Sequence, residues 1–277
     1  MSRHTPMSWR ISLGCVAAFA IFVALAGLTA LPPLDRDEAR FAQASAQMIE
    51  SGDYITIRFQ DRERNKKPAG VYWLQAASVN AFSDVGAREI WAYRIPSMAG
   101  VVIAAIFTFL AGARAYDPRT GLVAGLLIAS APIVAAEATI AKTDGVLLGL
   151  VAMAQYAFLL IYGAAQEGRK AGWGPALLFW SAQGVAILIK GPIAPLISCL
   201  AGVSLALRKH RGRWIAGMRP VFGIVILMLM VAPWAFAIWQ ATQGRFFTDA
   251  VGGDMLGKIG DAQEGHHGPP GYHAILV

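Results

Sequence analysis

Residues 173–207 read WGPALLFWSAQGVAILIKGPIAPLISCLAGVSLAL. As one helix the stretch would run about 50 Å at 1.5 Å per residue, well beyond the roughly 30 Å hydrocarbon core of a bilayer. Lys190, Gly191 and Pro192 interrupt it. Proline cannot continue the helical ladder, and the lysine ammonium prefers water to lipid. The stretch therefore reads as two shortish helices, 174–189 and 191–207, joined by a tight turn. Lys190 then sits on the opposite side of the membrane from the segments flanking the pair.

Composition agrees with lipid as the solvent. Of the 277 residues, 56% are hydrophobic and 15% charged, with a mean hydropathy of +0.49; soluble domains carry about 25% charged residues. Working outward, further spans are expected near 11–31, 95–115, 121–138, 144–164 and 220–240, about seven in all. The first has a basic lead-in (Arg3, Arg10) and an ALAG run at 24–27, features of a signal peptide. Its apolar stretch is longer than a signal core, so it reads as a retained anchor. Cys15 and Cys199 lie inside apolar runs and read as small buried hydrophobes.

The net charge of +7 raises nucleic acid as a partner, but the placement of the cations argues against it. They cluster in short connections, 114–120, 165–173 and 208–219, the pattern that fixes membrane orientation. The N-terminus is thus expected inside. The segment 32–94 becomes an outer loop, with 241–277 outer as well, and no soluble domain is visible. The expected fold class is all-α: a polytopic transmembrane helical bundle with an extracytoplasmic loop carrying interfacial helices.

On that topology five polar constellations share the outer face: DRDEAR (35–40), ERNKKPAG (63–70), AKTDG (141–145), KGP (190–192) and GDAQEGHHGPPGYH (260–273). From Asp37 an amphipathic interfacial helix is expected, ending at Gly52. Asp37 and Glu38 would stand in its first turn. There they serve either as carboxylates favoured by the helix dipole or as a surface base and cation-steering group. Lys66 and Lys67 precede the aromatic pair Tyr72 and Trp73. Headgroup anchoring by the rings and phosphate neutralisation by a lysine are both open. Asp144 stands at the mouth of an apolar helix, where it caps the helix or pairs with Lys142. Lys190 either snorkels or binds an anion. His266, His267 and His273 match no zinc spacing well.

Taken in order, DRDEARFAQASAQMIESGDYITIRF, KKPAGVYWLQAAS, REIWAYRIPSMAG, TDGVLLG, LIKGPIAPL and APWAFAIWQ resemble the bacterial membrane glycosyltransferases of the GT-C superfamily. The resemblance is to the aminoarabinose transferase of lipid A and the protein O-mannosyltransferase-like enzymes, and it runs from about Leu31 to Tyr272. It implies a polytopic enzyme of the bacterial inner membrane with a periplasmic active site. Such an enzyme passes a sugar, with inversion, from a polyprenyl-phosphate donor to a lipid, glycan or protein acceptor. By the same resemblance Asp37, Glu38 and Asp144 are catalytic candidates. Lys67, Lys190, Arg40, His266 and His267 are candidates for the substrate phosphates. A divalent cation is compatible with the acid pair, and no other cofactor is implied. Lys66 stands where the lipid A enzyme has an acid, and Asp254 falls in a GGDM run where relatives have a Glu-His pair; both weaken a family metal site. Relatives continue past the point where this chain ends, so a fragment or shortened member is expected.

Two other classes compete. Transport would place ionisable groups in helix centres; these are nearly free of them, Glu137 being the exception. A catalytically silent scaffold of the same fold is the second alternative.

Overall fold

A computed structural model describes residues 9–33, 36–207 and 213–250. The chain is helical with one small hairpin. In order come α1 (Trp9–Leu25), α2 (Arg36–Ser51), β1 (Arg58–Phe59), β2 (Arg62–Glu63), α3 (Gly70–Phe82), α4 (Ile90–Ala115), α5 (Pro118–Ser130), α6 (Pro132–Ala138), α7 (Asp144–Gln166), α8 (Trp173–Lys190), α9 (Ile193–Ala206), α10 (Arg213–Met218), α11 (Pro220–Thr242) and α12 (Arg245–Thr248).

Apolar helices occupy all seven expected places. Among the described residues three stretches are long and apolar enough to cross a membrane: Ile90–Ala115, Asp144–Gln166 and Trp214–Thr242. A fourth crossing requires α5 and α6 together, which meet at 65°. The uninterrupted span expected over 121–138 is therefore corrected. Pro132 opens α6 and forces the preceding Ala131 into extended backbone, φ −61° and ψ 125°. Helices α1 and α9 have 17 and 14 residues; at 1.5 Å per residue α9 is only about 21 Å long. The two-helix reading of 173–207 holds, with α8 ending at Lys190 and α9 starting at Ile193. Gly191 makes the turn at φ +70°, a conformation that costs any residue with a Cβ.

Helix α4 is the central element, packed against α7, α5 and α1, while α7 continues onto α8 and α8 onto α11. Glycines set the α4–α7 distance. A Cβ on Gly100 would collide with the Gly145 backbone, and one on Gly149 with the Gly100 carbonyl. Small residues at such crossings let membrane helices approach through backbone contact.

Helix α2 ends where the sequence predicts, at Ser51 before Gly52. It and α3 do not float over the bundle. One core cluster joins Phe41 and Met48 of α2, Val71 and Tyr72 of α3, Val146 and Leu147 of α7, Ile189 of α8, and Trp234 and Ile238 of α11. The 32–94 segment is thus docked on the ends of three bundle helices by shared apolar burial. The two cysteines depart from expectation: both are free and lie on exposed helix faces, where an apolar side chain meets lipid instead of protein.

Candidate functional site

The core cluster just described brings together the segments that carry the candidate charges. Phe41 lies four residues after Asp37, Val71 four after Lys67, Val146 two after Asp144, and Ile189 immediately before Lys190. Helix α3 is seated so close to α8 that a Cβ on Gly70 would lie 2.6 Å from the Leu188 carbonyl oxygen. That contact carries the Lys66–Lys67–Pro68 turn toward the end of α8.

Asp37 is half-exposed and forms an ion pair with Arg40, one helical turn on, at 3.6 Å. Behind it stands an aromatic and cationic group that the sequence reading missed. Arg64 Nε donates to the Tyr72 hydroxyl at 3.2 Å, and its guanidinium lies 5.3 Å from the Phe41 ring centre. Phe41 and Tyr72 are themselves 5.3 Å apart. Burial pushes the Tyr72 phenol up to about 12; Arg64 opposes that shift and the nearby Asp37 carboxylate adds to it. The hydroxyl therefore stays protonated at any physiological pH. Tyr72 is fully buried, which corrects the reading of the Tyr72–Trp73 pair as headgroup anchors. Trp73 donates its indole N–H to the Tyr54 carbonyl at 2.7 Å.

Glu38 is corrected more sharply. It stands beside Asp37 in sequence, yet its side chain is 0% exposed and bound bidentately by Arg94, Nε to Oε1 at 2.7 Å and Nη2 to Oε2 at 3.1 Å. The Ala141 amide also donates to Oε1, at 2.9 Å. A carboxylate so enclosed touches no substrate. Arg94 is equally saturated: Nη1 donates to the Leu28 and Leu31 carbonyls at 3.0 and 2.7 Å, and Nη2 to Pro32 at 3.0 Å. These carbonyls belong to the turn after α1, which would otherwise bury unsatisfied acceptors. One guanidinium, with its five donors, joins the end of α1, the start of α2 and the turn before α7. A charge at the mouth of an apolar run was the signal for Arg94 in the sequence.

The turn over 139–143 is held twice more, by Ser97 Oγ donating to the Lys142 carbonyl at 3.1 Å and by the Lys142–Glu137 ion pair at 3.6 Å. Its product is the position of Asp144, the first residue of α7. Asp144 pairs with Lys190, forty-six residues on. Helix capping does not explain it, since neither Thr143 nor Asp144 caps α7 by a side-chain hydrogen bond. Glu137, Lys142, Asp144 and Lys190 lie within electrostatic reach of one another, an alternating arrangement of two acids and two bases at one end of the bundle. Lys67 is half-buried.

His266 and His267 lie outside the described residues, as do Asp35 and Asp254. Among the described residues no three of His, Cys, Asp and Glu gather within reach of one metal ion.

Comparison with known proteins places this geometry among relatives. The sequence profile described as dolichyl-phosphate-mannose-protein mannosyltransferase matches residues 66–239. The undecaprenyl phosphate-alpha-4-amino-4-deoxy-L-arabinose arabinosyl transferase of Pseudomonas aeruginosa strain UCBPP-PA14 is 29% identical over 235 residues, 80% of this chain and 41% of that protein. The protein of the same name from Yersinia pestis strain Pestoides F is 24% identical over 263 residues, 95% of this chain and 46% of the relative. In structure the chain is similar to ArnT from Cupriavidus metallidurans bound to undecaprenyl phosphate, with a TM-score of 0.80, 22% identity, and coverage of 99% of this chain and 48% of that one. The apo form gives 0.78. The chain spans somewhat less than half the length of the curated relatives and structures it matches.

Proposed function

We propose, starting from the fact that this chain belongs to the dolichyl-phosphate-mannose-protein mannosyltransferase family, that it is the membrane module of a glycosyltransferase working at the Asp37–Asp144 end of its bundle. The donor is a sugar on a polyprenyl phosphate, and the names of the relatives favour an aminopentose on undecaprenyl phosphate. The acceptor is a lipid, glycan or protein. The observation that carries this reading is the Asp144–Lys190 ion pair, beside an apolar cluster that joins Val146 and Ile189 to Phe41 and Val71, on the segments that bear Asp37 and Lys67. An amphiphilic donor needs that combination, with charges for its phosphate and apolar helix surface for its chain.

The chemistry follows. An acceptor hydroxyl oxygen attacks the anomeric carbon while the bond from that carbon to the phosphate oxygen breaks. The proton passes to Asp37, the exposed carboxylate. The electron pair leaves with the phosphate, whose growing charge is met by Lys190 and Lys67. Asp144 holds the Lys190 ammonium in place, and Arg40 orients Asp37. Glu38 acts as a positioning residue through Arg94 and the 139–143 turn. Basic loops at the opposite end of the bundle support an N-in orientation, which puts this site on the periplasmic side of the inner membrane. The segment 32–94 is then a periplasmic loop.

The test uses the full chain in lipid nanodiscs with a panel of undecaprenyl-phosphate sugars and envelope-extract acceptors, following released undecaprenyl phosphate by mass spectrometry. Wild type is expected to release the carrier and Asp37→Asn to lose at least about a hundredfold of that rate. Donor retained by both proteins with no release from wild type would sink the reading.

A further inference from the structure

A second cavity lies at the far end of the bundle from the site above. Counted along α7 from Asp144, its lining residues Ile161 and Ala165 are about 26 and 32 Å away at 1.5 Å per residue. That is close to one hydrocarbon thickness, so the two sites are separate. The cavity has a volume of about 510 Å³ and is enclosed by the end of α7, the 167–172 connection, α10 and the start of α11.

Its wall is divided by chemistry. Ile161, Ala165, Ala171 and Ala216 make one side apolar, while Arg169, Lys170 and Arg219 supply cations. Among the described residues one carboxylate, Glu167, meets these cations. Glu167 is shared by Arg169, Nε to Oε2 at 2.9 Å, and by Arg114 at 2.9 Å. The two guanidiniums hold its carboxyl below the ordinary range, Arg169 contributing first. Lys170 and Arg219 form no ion pair among the described residues. Arg219 is instead pressed on the face of Trp173, 3.8 Å from the ring centre, and donates only a long 3.4 Å bond to the Ala171 carbonyl. Its backbone is left-handed, φ +51°, an arrangement that costs a non-glycine residue energy. Two guanidiniums thus share Glu167, and Lys170 and Arg219 line the adjoining apolar pocket. The dimensions suit a headgroup with the first part of its tails.

We propose that this cavity binds the phosphate of an anionic ligand, with Lys170 and Arg219 on the phosphate oxygens and the apolar wall against the adjoining glycerol and chains. The apolar wall favours a phosphodiester lipid over free phosphate, since basic pockets between membrane helices take such headgroups. This inference does not depend on the reaction proposed above.

The experiment is native mass spectrometry of the full chain released from micelles containing equal phosphatidylglycerol and phosphatidylcholine, with a parallel thermal shift in inorganic phosphate. Wild type is expected to retain phosphatidylglycerol preferentially. Lys170→Gln should lower that retention about fivefold, the effect of one cation near a headgroup. Ala216→Trp, which fills the cavity without touching a charge, should lower it further while leaving phosphatidylcholine retention unchanged. Stabilisation of wild type by millimolar phosphate, absent in Lys170→Gln, would support the same phosphate site with a soluble source. Equal retention of the two lipids by wild type, or retention of phosphatidylglycerol unchanged in both variants, with no effect of phosphate, overturns the proposal.

Discussion

Arg94 and Glu38, fifty-six residues apart, form a bidentate ion pair in which neither side chain is exposed. Removing one partner of such a pair leaves a buried charge without compensation. Arg94→Ala should therefore lower stability by about 3–5 kcal/mol, read as a fall in the midpoint of chemical or thermal unfolding in detergent. Arg94→Lys should recover little of this. An ammonium has three donors and no fork, and cannot serve Glu38 together with the three carbonyls after α1.

Gly70 is expected to tolerate no side chain. A Cβ there meets the Leu188 carbonyl oxygen at 2.6 Å and its carbon at 2.8 Å, both backbone atoms that cannot rotate away. Gly70→Ala should cost about 1–3 kcal/mol and also reduce carrier release, because it shifts the start of α3, and the Lys67 turn before it, away from the end of α8. Gly174→Ala is the control: a Cβ there meets nothing within 4 Å, and both measurements should be unchanged.

Asp144 and Lys190 should behave as one unit. Both are partly exposed, so neither substitution should much alter stability. In donor retention, Asp144→Asn and Lys190→Gln should each be costly, and the double variant no worse than the poorer single. Coupling of about 0.5–3 kcal/mol is the range for residues in contact. Additive losses in the double-mutant cycle would show that the two act independently.

Asp53 provides a pH dependence. Burial raises its carboxyl, but hydrogen bonds from the Thr56 and Ile55 amides outweigh that, and the group ends below its ordinary value of 3.8. A depressed native value stabilises the fold above the unfolded value, and the contribution disappears as pH falls through the native one. The turn it holds presents the Tyr54 and Ile55 carbonyls to the indoles of Trp73 and Trp234. Tryptophan fluorescence should therefore change on acidification below about pH 4, and Asp53→Asn should remove that step.

Local chemistry was enough to decide much of this protein. Pro192 and Gly191 split 173–207 whatever surrounds them, because the loss of a helix hydrogen bond is a property of the residue. The length and apolarity of α4, α7 and α11 and the end of α2 at Gly52 follow from the same kind of reasoning. The partners did not. Asp37 and Glu38 are adjacent in sequence, but one is half-exposed and the other sealed, since successive helical positions point about 100° apart and only the docking of α2 on α3, with Arg94 of α4 reaching Glu38, chooses between them. Asp144 is forty-six residues from Lys190, and the two meet because α7 and α8 pack side by side. Arg64 and Tyr72 become a site only when the hairpin folds over α2. Sequence determined which segments enter the membrane through free energies each residue contributes alone; which charges meet depends on the crossing of glycine-lined helices, and only the tertiary structure decides that.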